Sequence, residues 1–115
     1  MQFRKVFVNL IVDPRKLTEY ALNPDNPIGA DKATVFEKKL GYTRNNYEKL
    51  LQQIQSFAWD AEAILKREDE HGQRYQVDLE IAGLQGQTAT VRTGWIVEPG
   101  ANFARLVTLY VRKQG

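Results

Sequence analysis

The chain has 115 residues, of which 43% are apolar and 26% are charged, with no cysteine and a net charge of +2. A chain of this length buries roughly 65% of its unfolded surface in one core, which excludes a multidomain enzyme and predicts a single domain over residues 1–115. The absence of cysteine excludes a disulfide scaffold, an iron–sulfur cluster and a thiol nucleophile. No apolar run approaches the ~20 residues of a membrane span, and the N-terminus lacks a signal-peptide cleavage site, so we expect a cytoplasmic protein.

The first elements are predicted to be a strand and a short helix. Residues 3–12 are rich in Val, Ile and Phe and alternate with a period of two, which predicts a strand. Its apolar side would carry Val6, Val8, Leu10 and Val12. Asp13 and Pro14 are typical of a helix start. The apolar residues that follow at helical spacing are Leu17, Tyr20 and Ala21.

A tight loop and a second helix come next. Residues 23–29 contain two prolines and a glycine, so they end the first helix. Asp31 is placed to cap a helix over residues 32–40, and Gly41 is placed to end it. The inward side of this helix is predicted to carry Ala33, Phe36 and Leu40.

The longest helical pattern begins at Thr43 and runs for about 22 residues. Its apolar residues recur at spacings of three and four: Tyr47, Leu50, Leu51, Ile54, Phe57, Ala58, Ala61, Ile64 and Leu65. At 1.5 Å per residue such a helix would be roughly 33 Å long, which is long for a domain of this size. A bend or break near residues 56–59 is therefore expected.

From Gly72 onward the period changes to two and predicts three antiparallel strands. The inward residues of the first strand are Tyr75, Val77, Leu79 and Ile81. Those of the second are Ala89, Val91, Thr93, Trp95 and Val97, and those of the third are Val107, Leu109 and Val111. The predicted fold is α+β, with the N-terminal strand and the helices packed on one face of a three- or four-stranded antiparallel sheet.

The other side of these strands is predicted to form a polar face. It comprises Asp78, Glu80, Thr90, Arg92, Gly94, Ile96, Thr108, Tyr110 and Arg112. A guanidinium can bind phosphate, a carboxylate can hold that guanidinium in one rotamer, and a glycine leaves room for a base or sugar. The polar face therefore suits an anionic or nucleotide ligand. The same pattern is also typical of a solvated sheet with cross-strand pairs such as Asp78 with Arg92.

Other candidate residues are more isolated. His71 follows an acidic run and precedes a glycine, which indicates either an exposed loop histidine or a general acid or base. Trp95 is either a core residue or a stacking platform. With one histidine and dispersed carboxylates, we expect no metal ion and no other cofactor.

Two blocks resemble an uncharacterised bacterial and cyanobacterial family. The first is KLTEYALNPDNPIG followed by Lys32, Ala33 and Phe36, which is similar to the family pattern KLxxYLLNPxHPxG and KAxFF. The second contains VRTGWIV and ARLVTLYV, which are similar to the VRTxWIV and RLVT strands that end the family's sequences. Together the blocks span about residues 15–111, nearly the whole chain.

This family is a domain of unknown function, and its layout resembles the barnase–EndoU–colicin–RelE group of metal-independent ribonucleases, many of which are toxins. The resemblance implies attack of an RNA 2′-hydroxyl on the adjacent phosphate. The implied phosphate contacts are Arg92, Arg105 and Lys32, with Thr93 or Thr108 as hydroxyl donors. The implied base is Asp78 or His71, and the further substrate contacts are Tyr110 and Trp95. Asn26 occupies the position of the family's histidine, and an amide cannot exchange a proton near neutral pH.

Three functions are compatible with these residues. The first is a toxin-like ribonuclease that acts on RNA and is opposed by a cognate neutralising protein. The second is a non-enzymatic partner-binding module, such as an antitoxin, an immunity protein or an accessory subunit. The second predicts an exposed apolar rim that includes Leu106, Ile96 or Phe103. The third is a binder of an unrelated small ligand. None involves a membrane, and the sequence does not fix the oligomeric state.

Overall fold

A computed structural model describes residues 1–112 and has the predicted α+β architecture. A 3-10 turn lies at Phe3–Lys5, and Lys16–Ala21, here called the π segment, has π-helical hydrogen bonding. The regular helices are α1 (Ala30–Leu40) and α2 (Glu48–Asp60). The strands are β1 (Asn9–Ile11), β2 (Ile64–Asp69), β3 (Gly72–Ala82), β4 (Thr88–Val97) and β5 (Phe103–Val111). No helix within residues 1–112 is long and apolar enough to cross a membrane.

The strands form one sheet in the order β1-β5-β4-β3-β2. β3, β4 and β5 are the predicted antiparallel meander, β2 adds to it antiparallel to β3, and β1 pairs parallel with β5. The pairing of β1 reaches only Phe103 to Arg105, so no described strand lies along the second half of β5 on the edge away from β4. The π segment and α1 pack against β5 there instead.

The core lies between the helices and the odd-numbered residues of β3 and β4. Val77, Val91 and Trp95 are buried on this side, as the period-two pattern predicts. The ring of Phe3 meets the rings of Tyr75 and Trp95 edge to face, with centroid distances of 5.5 and 5.7 Å. Such aromatic contacts add to the free energy gained by burying apolar area.

The α1 helix agrees with its predicted span and end, but not with its predicted cap. It begins at Ala30, the N-cap residue is Gly29, and no side chain caps it. Asp31 instead lies in the first turn, where its charge is favourable to the helix dipole. Gly41 ends the helix with φ 83°, a left-handed conformation that glycine adopts without strain.

The predicted 22-residue helix is wrong beyond Asp60. α2 ends there, and Ala61 is extended with φ −78° and ψ 161°. Ile64 and Leu65 start β2 and are 51% and 49% exposed, although the helical spacing places them inward. Apolar residues keep their 3.6-residue spacing into residues 61–65 by coincidence. These residues lead into β2, which pairs with β3, and the hydrogen bonds of that pairing decide the structure there.

The N-terminal strand is also shorter than predicted. The 3-10 turn at Phe3–Lys5 breaks the alternation, so Phe3 and Phe7 are buried while Val6 and Val8 are 57% and 68% exposed. The predicted apolar side of this strand is therefore wrong for Val6 and Val8.

A bulge in β5 changes which of its residues face the core. Gly94 pairs with Thr108, but the next residue, Trp95, pairs with Leu106, so Val107 is the extra residue. Leu106 is consequently buried and Val107 only half-buried. The prediction that Val107 faces inward is corrected by this bulge, whereas Leu109 and Val111 are buried as predicted.

Candidate phosphate-binding site

The polar face is present and partly open. Asp78 on β3 lies opposite Arg92 on β4, which lies opposite Tyr110 on β5. One step along, Gly94 lies opposite Thr108. Side chains paired in this way share one side of a sheet, and the side chains of Asp78 and Arg92 are 31% and 26% exposed. A ligand can therefore reach this face.

Asp78 and Arg92 form a two-contact ion pair. Arg92 Nε donates to Asp78 Oδ1 at 2.9 Å, and its Nη2 donates to Asp78 Oδ2 at 3.1 Å. Arg112 Nη1 lies 3.5 Å from the same Oδ2. The hydrogen bond from Arg92 holds the pKa of the Asp78 carboxyl below its usual value, so Asp78 is a weak base. Its role in this geometry is to fix the orientation of Arg92.

Lys32, in the first turn of α1, reaches the rim of the polar face. Its Nζ donates to Thr108 Oγ1 at 3.2 Å and to the hydroxyl of Tyr20 from the π segment. The same ammonium lies 4.6 Å from the ring centroid of Tyr20 and 5.5 Å from that of Tyr110. Two side chains of the helical segments, Tyr20 and Lys32, thus reach the polar face over the edge of β5 that β1 leaves uncovered.

The contact with Lys32 lowers the pKa of the Tyr20 phenol. Burial raises the pKa of Tyr20, but hydrogen bonds with Lys32 and Thr108 and the positive charge of Lys32 outweigh burial, and the net pKa lies below the ordinary 10.0. The helical spacing of the sequence predicts Tyr20 as a core residue and gives it no chemical role. Its place in the KLTEYALNP block, which resembles the family pattern, is the signal that could have pointed to it.

Gly94 keeps this rim compact. A Cβ at this position would lie 2.9 Å from the Cγ2 of Thr108, closer than side-chain atoms normally approach. The glycine therefore allows Thr108 to stand where it meets Lys32. The methyl group of Thr108 thus occupies space beside Gly94, where the sequence predicts room for a base or sugar.

A cleft of about 440 Å³ opens beside Lys32. The cleft is lined by Asp31, Lys32, Val35, Tyr110 and Val111. Its wall is apolar except at the charged groups of Asp31 and Lys32. The cleft places an apolar surface next to the ammonium. This combination suits a ligand that has both a flat apolar part and an anionic part.

The remaining predicted site residues lie elsewhere. Thr93 and Trp95 are 0% and 1% exposed in the core, so neither can touch a ligand on the folded surface. His71 lies in the exposed turn after β2, about 20 Å along β3 from Asp78 at 3.3 Å per residue. Arg105 is on the polar face opposite Ile96 and is ion-paired with Glu98, away from Lys32. In the part of the chain that is described, no three His, Cys, Asp or Glu side chains group to hold a metal ion.

The family model described as "Domain of unknown function (DUF6883)" matches residues 5–113. The chain belongs to this family. No curated protein matches it. Among solved structures, a chain of a "Contact-dependent growth inhibition toxin - immunity protein complex from Klebsiella pneumoniae 342" is similar, with a TM-score of 0.70 and 16% identity over 89% of this chain and 99% of that chain. At this identity the similarity shows a common fold.

In this DUF6883 chain, Asn26 joins the two helical segments that supply Tyr20 and Lys32. Its Oδ1 accepts hydrogen bonds from the backbone amides of Ile28 and Gly29 at 2.9 and 3.0 Å. Its Nδ2 donates to the carbonyl of Glu19 at 3.0 Å. A neutral side chain with both an acceptor and a donor makes these three bonds, so Asn26 positions the site without exchanging a proton.

Proposed function

We propose that this protein is a toxin-like ribonuclease that cleaves RNA phosphodiesters without a metal ion. The observation that carries the proposal is the placement of the Lys32 ammonium on Tyr20 and Thr108, at the rim of a face that also holds Arg92. The fold shared with a chain of a toxin–immunity complex is compatible with the toxin role and equally with an immunity-protein role.

The proposed reaction is an internal transfer at phosphorus. The 2′-hydroxyl oxygen attacks the adjacent phosphorus, the new P–O2′ bond forms, and the P–O5′ bond breaks. The products are a 2′,3′-cyclic phosphate and a 5′-hydroxyl, so one proton leaves O2′ and one reaches O5′. Negative charge grows on the non-bridging oxygens in the transition state, where positioned cations stabilise it most.

The side chains divide this work as follows. Lys32 and Arg92 donate to the non-bridging oxygens, with the Thr108 hydroxyl beside them. The Tyr20 phenol is the base in its ionised form, since its pKa is lowered and Lys32 stabilises the phenolate. The same phenol returns the proton to O5′.

The apolar cleft beside Lys32 would take the base of an adjacent nucleotide. Tyr110 lines the cleft and offers a ring on which a base can stack. Stacking is tolerant of base identity and requires an unpaired base, so the substrate would be single-stranded at the cleaved bond.

The test is expression of the full chain together with cleavage of RNA by the purified protein. The wild type should arrest growth and leave 2′,3′-cyclic phosphate ends, and cleavage should persist in EDTA. Lys32→Met should reduce the cleavage rate by about 100-fold or more, because one preorganised cationic donor is lost. Lys39→Met, in the last turn of the same helix and exposed, is the matched control and should cleave like wild type. A wild type that neither arrests growth nor cleaves RNA would overturn the proposal.

A partner-binding module is the second candidate. The observation that favours it is that Asp78 already engages two donors of Arg92, leaving fewer for phosphate. Against it, Leu106 and Ile96 are buried, so the exposed rim that this function predicts is absent at those two residues. An immunity protein would restore growth to cells that express a neighbouring toxin gene, whereas a toxin would itself arrest them.

A further inference from the structure

A row of arginines crosses the polar face on the side away from Asp78 and Glu80. Arg67 on β2 lies opposite Arg74 on β3, Arg74 lies opposite Ile96, and Ile96 lies opposite Arg105 on β5. Residues paired in this way project from the same side of the sheet. We call Arg67, Arg74 and Arg105 the arginine row. The pairing that creates the row is not visible in the sequence, where these residues are far apart.

The central member of the row lacks a counter-ion. Arg67 is ion-paired with Asp69, and Arg105 with Glu98. Arg74 forms no salt bridge within residues 1–112, and its Nε is buried without a hydrogen-bond partner there. Like charges directly opposite each other destabilise a sheet, as does a buried donor without an acceptor. A bound anion would balance the positive charges of Arg67 and Arg74 that lie opposite each other.

The arginine row lies close to the phosphate site. Arg74 is level with Ile96, two residues along β4 from Gly94 and four from Arg92, which corresponds to about 7 and 13 Å at 3.3 Å per residue. Asp78 lies level with Arg92 and is already paired with Arg92 and Arg112, whereas two residues further along β3 the polar face carries the carboxylate of Glu80. An anionic strand that leaves the Lys32 site is therefore attracted toward the charge of Arg74 and repelled from the end that carries Glu80.

We infer that the arginine row binds the RNA backbone a few nucleotides away from the phosphate held by Lys32 and Arg92. This inference rests on the proposed function. It makes the ligand a single strand of several nucleotides, bound in one direction across the sheet. Since the contacts are to phosphate, they add affinity and position the strand without selecting its sequence.

The experiment measures binding of two fluorescent RNAs in which every 2′-hydroxyl is methylated, so that neither can be cleaved. One has about twelve nucleotides, within the usual site size of a single-strand binder, and the other is a dinucleotide. Arg74→Gln should weaken binding of the longer RNA by about 5- to 10-fold, lower the slope of affinity against salt by about one, and leave the dinucleotide unchanged. Arg74→Lys should retain most of the salt slope. Arg44→Gln, an exposed arginine in the loop between α1 and α2, is the matched control.

The outcomes separate this inference from the proposed function. If Arg74→Gln binds the longer RNA like wild type, or weakens both RNAs equally, the arginine row is not a backbone site, and cleavage that depends on Lys32 is unaffected by that result. If Arg74→Gln selectively weakens the longer RNA but unmodified RNA is never cleaved, the row is supported and the ribonuclease activity is not. If the effect of Arg74→Gln is confined to binding of a neutralising protein, the row belongs to a protein interface and the inference is wrong.

Discussion

Two hydroxyl groups in this protein each accept a hydrogen bond from a nitrogen donor but have different surroundings. Thr93 accepts a hydrogen bond from the indole of Trp95 at 2.7 Å and donates to the carbonyl of Val77 at 2.7 Å, wholly inside the core. Tyr20 accepts from the ammonium of Lys32 at the half-exposed rim of the polar face. The Thr93 hydroxyl is enclosed and can serve only the fold, whereas the Tyr20 hydroxyl lies at a partly exposed rim, where the proposed RNA substrate could reach it.

Removing the hydroxyl of Tyr20 should have the largest effect, and that effect should be on activity. Tyr20→Phe is expected to lower the cleavage rate by about 100-fold or more, as the loss of a general base does. Because the pKa of Tyr20 is lowered, the wild-type rate should rise with pH and level off below pH 10, and this rise should be absent in Tyr20→Phe. The pH–rate profile of both proteins measures this. An unchanged profile in the variant would exclude the phenol as the base.

Removing the hydroxyl of Thr93 should instead act on stability. Thr93→Val leaves the Trp95 N–H without an acceptor in the core, which should lower the free energy of unfolding by about 1–3 kcal/mol. Thr90→Val is the matched control, because Thr90 lies on the same strand but on the polar face, where its hydroxyl bonds to Glu80. Denaturant unfolding should show a change of about 0.5 kcal/mol or less for the control. An equal loss of unfolding free energy in Thr93→Val and Thr90→Val would contradict the contrast between the core side and the polar face.

The smallest expected effect is the change in the free energy of unfolding when the Asp78 carboxylate is removed. Arg92 lowers the pKa of Asp78 in the folded protein. The ion pair therefore stabilises the fold fully above the ordinary pKa of 3.8, and this stabilisation is lost as the pH falls through the lowered pKa. Asp78→Asn should therefore reduce the free energy of unfolding near pH 7 by about 1 kcal/mol or less, and the difference from wild type should close in acid. Asp25→Asn, at an exposed carboxylate in the loop before α1, is the control for charge. A difference that stays constant down to pH 2 would contradict this assignment.

The sheet and the polar face were predictable because they follow one short-range rule. Alternation with a period of two identifies the buried side of β3 and β4, and with it the opposite placement of Asp78 and Arg92. Each of these placements depends only on residues one or two positions apart. The sequence therefore predicts half of the candidate site.

The other half depends on events that local patterns do not encode. The π-type turn is marked by the bond from the Leu22 amide to the Leu17 carbonyl. Within it Tyr20 packs against the core only in part, with its hydroxyl on Lys32. The bulge at Val107 changes the inward side of β5 without any glycine or proline to indicate it. The meeting of Lys32 with Thr108 joins residues that are distant in sequence, and single-sequence patterns carry no information on such contacts.

The parallel pairing of β1 with β5 joins the two ends of the described chain. Contacts between distant residues form late in folding because closing a long loop costs entropy, whereas the β3–β4–β5 hairpins can form from neighbours. The N-terminal segments that bring Tyr20 and Lys32 to β5 can dock only after β5 has left the ribosome. The arrangement of Tyr20 and Lys32 on β5 would therefore assemble only after the β3–β4–β5 meander has formed.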